Sequence, residues 1–144
     1  MIAADTNFLV YAHRRDSPWF EPAQQALRQL VEGMATWAIP WPCVHEFLAI
    51  STHPKIYRPP TELSRALDQV TALLASPSVM VLSETAGYWL VLRRLLSQGQ
   101  VTGPRVHDAR IAALCLSHGV SELWSADRDF TRFPELKTRN PLIR

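Results

Sequence analysis

The stretch Ile2-Ala3-Ala4-Asp5-Thr6-Asn7 decides the fold, because it joins a short apolar run to an acid. The apolar run predicts a buried strand, and Asp5 falls at the carboxyl end of that strand. Further strands are predicted at 36–39, 79–82 and 122–124, with a last one near 137–139. Helices are predicted at 7–12, 21–32, 41–51, 61–75, 85–98 and 106–118. This alternation indicates an α/β fold with a central, mainly parallel sheet of roughly four to five strands and helices on both faces.

Glycine, proline and threonine mark the predicted helix boundaries. Gly33 and Gly119 follow the last periodic apolar residues of two helices and are predicted to end them. The segment 53–60 contains prolines that exclude a regular helix. Thr61, directly after that segment, is predicted to cap the next helix.

The composition is that of a single domain spanning residues 1–144. Apolar residues make up 47% of the chain and the mean hydropathy is −0.05. No apolar run approaches the roughly 20 residues that a bilayer span needs, and the N-terminus lacks the basic segment of a signal peptide. We therefore expect a cytoplasmic protein without a membrane partner. Cys43 and Cys115 are expected to be buried free thiols, since neither lies in a C-x-x-C pair.

The net charge of +2 conceals an uneven set of basic residues, of which thirteen are Arg and two are Lys. Arg grips phosphate through paired N–H donors and stacks on bases, which favours a nucleic-acid partner. A GC-rich genome produces the same excess of Arg, together with Ala, Leu and Pro, so both explanations stay open.

Four acids lie in four separate segments: Asp5, Glu46, Asp108 and Asp127. Asp5 and Asp127 each follow a predicted strand, and ligands of parallel sheets bind where the carboxyl ends of the strands meet. Carboxylates repel one another, so a fold that gathers several of them needs cations there. Oxygen ligands without His or Cys suit Mg²⁺ or Mn²⁺, which serve phosphoryl transfer on nucleic acids. Asp129, in the same loop as Asp127, is a secondary ligand candidate.

Each acid also has a purely structural interpretation. Asp5 is a suitable N-cap for the helical turn that follows it. Glu46 fits the solvent-exposed stripe of an amphipathic helix, and Asp108 fits a helix N-terminus, where the macrodipole favours acids. In the last loop, Asp129 is better placed than Asp127 to cap the turn that follows. The five histidines lack the spacing of a zinc site.

The order of these segments resembles the PIN-domain family, and within it the VapC-type toxins of bacterial toxin–antitoxin pairs. The matching segments are Asp5-Thr6-Asn7, Val44-His45-Glu46-Phe47, His107-Asp108-Ala109, 123–130 and the tail 132–136. The resemblance implies a PIN-like, Rossmann-like α/β/α sandwich and a Mg²⁺- or Mn²⁺-dependent endoribonuclease. It implies cleavage of structured RNA, such as tRNA or rRNA, to inhibit translation and growth. It also implies a homodimer and a partner VapB-type antitoxin.

The resemblance assigns catalysis and metal binding to Asp5, Glu46, Asp108 and Asp127. Thr6, Asn7 and Ser125 are expected to orient the acids through hydrogen bonds. Ser125 stands where the family often has Thr, a change that keeps the hydroxyl.

The remaining expectations concern RNA and the antitoxin. Proximity in sequence makes four arginines candidates for contacts with the RNA backbone: Arg14, Arg15, Arg110 and Arg128. The segment 53–60 and the region of Trp41 are expected as docking surfaces for the antitoxin.

Three other functions compete with the nuclease. A haloacid-dehalogenase-like phosphatase needs a second Asp two residues after Asp5, where Asn7 stands. A catalytically silent RNA-binding or scaffolding domain gains nothing from clustered, repelling carboxylates. A structure-specific DNA nuclease shares the fold and the acids, so only a comparison of RNA and DNA substrates separates it from the ribonuclease.

Overall fold

Five short strands form one parallel sheet in the computed structural model, which describes residues 1–143. The strands are β1 (Ile2–Ala4), β2 (Trp37–Pro40), β3 (Val79–Leu82), β4 (Glu122–Trp124) and β5 (Thr138–Arg139). Their spatial order is β3-β2-β1-β4-β5, and every neighbouring pair is parallel. The expected parallel sheet, including its last strand, is confirmed.

Six α-helices connect the strands: α1 (Thr6–His13), α2 (Phe20–Glu32), α3 (Trp41–Ser51), α4 (Leu63–Leu74), α5 (Tyr88–Gly99) and α6 (Val106–Ser117). The path from β1 to β2 to β3 moves in one direction across the sheet, and the path from β3 to β4 moves back past β1. Because parallel crossovers are right-handed, α1 to α4 cover one face and α5 and α6 cover the other. The result is the expected α/β/α sandwich.

The core lies between the sheet and these two helical layers. Strand residues with almost no exposed surface, such as Ala3, Ile39 and Leu123, meet helix residues such as Phe8 and Phe47. Central strands covered on both faces read as continuous apolar runs rather than alternating ones. This burial fixes the strand ends, and with them the acids that follow the strands.

Several boundaries differ from the sequence prediction. The prediction that Thr61 caps α4 is wrong: Glu62 holds the N-cap position, and the Thr61 hydroxyl instead contacts His13 and Arg14. Helix α5 begins at Tyr88 rather than at residue 85. A short 3-10 turn, Gly103–Arg105, lies at the end of the predicted loop and leads directly into α6.

Within residues 1–143, no helix is both long and apolar enough to cross a membrane. Cys43 and Cys115 are buried free thiols, as expected.

Candidate metal centre

The acids converge where the direction of the chain across the sheet reverses. Strands β1 and β4 are neighbours, but the chain leaves β1 toward β2 and reaches β4 only after β3. In such sheets a crevice opens at the carboxyl ends of the two strands. Asp5 follows β1, its N–H donates to the Trp124 carbonyl at 3.0 Å, and Ser125 and Asp127 follow β4. The topology therefore brings together residues that are 120 positions apart.

Asp5 is buried, with 4% of its surface exposed. Its Oδ2 accepts a hydrogen bond from Ser125 Oγ at 2.6 Å, and its Oδ1 accepts one from Cys43 Sγ at 3.5 Å. Asp5 occupies the N-cap position of α1, but its side chain makes no capping hydrogen bond. Burial raises the pKa of Asp5 to about 6 in spite of these donors, and the nearby charge of Glu46 adds to the effect.

Glu46 reaches the same region from α3. Its Oε2 accepts a hydrogen bond from Thr6 Oγ1 at 2.7 Å. Thr6, expected among the orienting residues, thus holds Glu46 rather than Asp5. Asn7 acts on the neighbouring loop, because its Oδ1 accepts the Ala126 N–H at 3.2 Å. Hydroxyl and amide groups at the start of α1 therefore fix elements on both sides of Asp5.

Three further carboxylates form a tight group. Asp108, Asp127 and Asp129 each offer an oxygen within 4.8 Å of the others. Asp108 lies in the first turn of α6, as predicted. Burial is the main cause that raises the pKa of Asp108 to about 6. The negative charges of Asp127, Asp129 and Glu46 contribute to this increase. The charge of Glu46 raises the pKa of both Asp5 and Asp108, so the five acids are close enough to influence one another electrostatically.

The loop after β4 corrects one interpretation. Asp127, not Asp129, caps the short 3-10 helix Arg128–Arg132, because Asp127 Oδ1 accepts the Asp129 N–H at 2.8 Å. The N–H of Asp127 in turn donates to Ser125 Oγ at 3.0 Å. Ser125 therefore links Asp127 to Asp5, and the cap leaves the second oxygen of Asp127 and the carboxylate of Asp129 available to a ligand.

The donor set fits a hard divalent cation. None of the five acids forms an ion pair with Lys, Arg or His in the part of the chain that the structure describes. Their hydrogen bonds come from hydroxyl, thiol and backbone groups, which orient a carboxylate without neutralising it. Oxygen ligands of this kind suit Mg²⁺ or Mn²⁺.

The four candidate arginines lie in different surroundings. Arg14 is occupied: its guanidinium binds both oxygens of Asp16, at 3.0 and 2.6 Å, and lies 4.3 Å from the centre of the Tyr57 ring. Arg15 is exposed, but it lies beyond the far end of α1. The eight residues of that helix span about 12 Å and separate Arg15 from Asp5. Arg110 lies close enough to Tyr88 that its positive charge lowers the pKa of the Tyr88 hydroxyl. Burial nevertheless raises the pKa of Tyr88 overall. Arg128 is exposed beside Asp127.

Sequence reasoning missed a pocket beside the acids. This pocket has a volume of about 470 Å³, and the acids Asp108 and Asp129 form one part of its wall. The rest of the wall includes Gln100, Thr102, Arg105 and Arg132. The available signal was spacing: Arg105 lies three residues before Asp108, and Arg132 lies three residues after Asp129. In helical turns, that spacing places side chains on the same face.

Comparison with known proteins identifies the family of this chain. The family model described as "PIN domain" matches residues 2–136. The ribonuclease VapC43 of Mycobacterium tuberculosis is 34% identical over 142 residues, which cover 99% of this chain and 96% of the relative. The solved structure of VapBC2 from Rickettsia felis, bound to a promoter DNA fragment, has a TM-score of 0.69 at 20% identity and covers 96% and 98% of the two chains. M. tuberculosis VapC20, described as a sarcin–ricin loop cleaving toxin, has a TM-score of 0.66 at 17% identity and covers 91% and 93%. The chain belongs to the PIN-domain family, and within it to the VapC ribonucleases.

Proposed function

We propose that this protein is a metal-dependent endoribonuclease and the toxin of a type II toxin–antitoxin module. The observation that supports it most is that Asp5, Glu46, Asp108 and Asp127 converge at the switch point of the sheet and form no ion pair with a basic residue among residues 1–143. Relatives with at least 30% identity over nearly the whole chain are named ribonucleases, which supports the same reaction.

Asp5, Glu46, Asp108 and Asp127 would hold one or two Mg²⁺ or Mn²⁺ ions, with Asp129 as an additional ligand. Such ions lower the pKa of a bound water and neutralise charge on a phosphodiester during in-line hydrolysis. The protein's own contribution is to hold the acids in place. Ser125 fixes Asp5 and the Asp127 backbone, and Thr6 fixes Glu46. Partners of this kind set the direction in which each carboxylate oxygen points.

The substrate is proposed to be structured RNA, a tRNA or an rRNA loop. VapC20 is described as cleaving the sarcin–ricin loop, and this fold similarity supports an RNA target without naming one. Arg15 and Arg128 are exposed and would contact the RNA backbone, whereas Arg14 and Arg110 would contribute less, since each faces a neighbouring side chain.

The same proposal includes two protein partners. A VapB-type antitoxin would bind and silence the site, and the chain would assemble as a homodimer. The R. felis structure contains a VapBC2 complex on promoter DNA, which supports a two-component assembly. Trp41 is 39% exposed, and Ile56, in the segment 53–60, is 53% exposed. Both therefore remain candidate antitoxin contacts.

Cleavage of total bacterial RNA tests the proposal. The antitoxin-free protein would be incubated with RNA in Mg²⁺, Mn²⁺ or EDTA, and the cut ends would be mapped. Asp108→Asn is expected to abolish the cuts. Asp68→Asn is the matched control, because Asp68 is an exposed acid on α4.

Discrete cuts that need metal and Asp108 but not Asp68 would support the ribonuclease and identify its target. Cuts in single-stranded or branched DNA but not in RNA would replace it with a DNA nuclease. No cleavage of either nucleic acid by folded protein, together with no stabilisation by metal, would favour the silent binding domain.

A further inference from the structure

The pocket beside Asp108 and Asp129 carries positive charge next to the acids that border it. Arg105 precedes α6 directly, and Arg132 ends the 3-10 helix that Asp127 caps. Both arginines are exposed, and both line the pocket. The acids and the two guanidinium groups line the same pocket. A phosphate held at the acids through a cation would therefore lie next to both guanidinium groups.

These two arginines do not neutralise the acids beside them. Among residues 1–143, neither Arg105 nor Arg132 forms an ion pair within 4.0 Å of a carboxylate. By contrast, Arg14 and Arg94 each bind a carboxylate at 2.6–2.7 Å. The pocket thus keeps its carboxylates available to a cation and its guanidinium groups available to an anion. Guanidinium groups bind phosphate through paired N–H donors.

Gln100 supplies a second, independent observation. It adopts a left-handed conformation, φ 48° and ψ 49°, directly after α5, and it is the one non-glycine residue with positive φ in the described chain. Glycine is the ordinary residue at such a helix end, because a side chain disfavours the left-handed backbone. Gln100 is one of the residues that line the pocket. A polar side chain at a position that favours glycine is most simply explained by a role for that side chain.

We propose that Gln100, Thr102, Arg105 and Arg132 form a nucleotide subsite that binds the phosphate adjoining the scissile one. Arg105 and Arg132 hold the phosphate, and Gln100 and Thr102 hydrogen-bond to the attached nucleotide. The proposal rests on the proposed ribonuclease function, because the acids define which phosphate is cleaved. The subsite places the RNA strand on the α6 side of the acids and fixes the direction in which it crosses them.

Binding of a fluorescein-labelled, random-sequence RNA octamer tests the subsite. Ca²⁺ would replace Mg²⁺, anisotropy would be read at several salt concentrations, and a gel would check that the probe stays intact. Arg105→Gln and Arg132→Gln are each expected to weaken binding about 5- to 10-fold at low salt. Each should lower the slope of log K against log salt by about 0.7, the value for one lost phosphate contact on a single strand.

Arg28→Gln is the matched control, because Arg28 is an exposed arginine next to Gln29, which lines a pocket with Met1 and Ile2 at the amino ends of the strands, opposite the end that carries the acids. It should leave the slope unchanged. If Arg105→Gln and Arg132→Gln also keep the wild-type slope, the subsite is wrong, while metal-dependent cleavage by the wild type would still support the proposed function. If the wild type neither binds the octamer nor cleaves RNA, the proposed function fails and the subsite fails with it.

Gln100→Gly separates a binding role from a structural one. Glycine suits the left-handed backbone, so the variant should unfold at an equal or higher temperature than the wild type. We expect its affinity for the octamer to fall about 3- to 10-fold nonetheless. Unchanged affinity would remove Gln100 from the subsite, and a lowered unfolding temperature would show that the side chain serves the fold.

Discussion

Asp5 and Asp16 lie at opposite ends of the first helical segment, and their surroundings contrast sharply. Asp16 is exposed, and the Arg14 guanidinium binds both of its oxygens and holds its pKa below the ordinary value. Asp5 is buried, accepts hydrogen bonds from a hydroxyl and a thiol, and burial raises its pKa to about 6. The same residue type is thus stabilised as an anion at one end and penalised as an anion at the other.

The contrast extends to the other acids. Glu135 pairs with Arg94 at 2.7 Å and Glu122 pairs with Lys137 at 3.4 Å. The acids at the switch point have oriented oxygens and no such partner within residues 1–143. Basic residues do lie nearby, since Arg105 and Arg132 share a pocket with Asp108 and Asp129. The missing ion pairs are therefore a property of the site, and they leave its negative charge to an external cation.

The largest effect should come from removing the Asp5 carboxylate, whose charge is disfavoured by burial. Asp5→Asn is expected to lower RNA cleavage by at least about 10³-fold, because metal ligation contributes several kcal/mol to such reactions. The same change should stabilise the metal-free protein at neutral pH by up to about 3 kcal/mol, since a buried charge disappears. Chemical denaturation in EDTA measures this gain. Asp16→Asn is the control: it should leave cleavage intact and give no gain in stability.

The stability gain of Asp5→Asn over the wild type should depend on pH. Unfolded Asp5 loses its proton near pH 3.8, whereas the folded protein keeps it to about pH 6. The folded state therefore binds more protons between these values, and this group's contribution to stability falls as pH rises through that window. In EDTA, the advantage of Asp5→Asn over the wild type should grow from about pH 4 to pH 6 and level off above. An advantage that stayed constant from pH 4 to pH 8 would contradict the raised pKa.

A smaller effect should follow from loosening Asp5 without removing it. Ser125→Ala deletes the 2.6 Å hydrogen bond to Oδ2 and the acceptor for the Asp127 N–H. We expect a 10- to 100-fold loss of Mn²⁺ affinity in calorimetric titrations, the usual cost of losing a group that orients a ligand. Ser121→Ala is the control, because the Ser121 hydroxyl hydrogen-bonds to Met1 near the start of β1. Equal metal affinities of the two variants would show that Ser125 does not position Asp5.

The smallest effect belongs to the neutralised end of α1. Arg14→Gln removes the ion pair with Asp16 and the contact with Tyr57, which together should cost about 1 kcal/mol of unfolding free energy. Mn²⁺ affinity should not change. RNA affinity should change less than in Arg105→Gln, because Arg14 is already paired. A larger loss of RNA binding in Arg14→Gln would move the RNA path toward this end of the helix.

Much of this architecture was predictable because local patterns and global fold agree. Strand β1 and Asp5 follow from six residues of sequence, and the helical periodicity of 106–118 places Asp108 in a first turn. The Thr61 cap was predicted wrongly, because a contact with the distant Arg14 occupies the Thr61 hydroxyl. The structural interpretation of Asp129 as a cap was wrong for a local reason, since its own N–H donates to Asp127, two residues earlier. The pocket was missed because Gln100 and Arg132 meet only after the sheet brings α5 and the loop after β4 together.

Crystals soaked in Mn²⁺ would show whether the unneutralised acids form a cation site. An anomalous difference map at the manganese absorption edge would locate any bound ion. A peak is expected within coordination distance of Asp5, Asp108 and Asp127 carboxylate oxygens, and no peak at the paired acids Asp16 and Glu135. A well-ordered crystal with an empty switch point, or with Mn²⁺ bound only at the paired acids, would contradict this expectation.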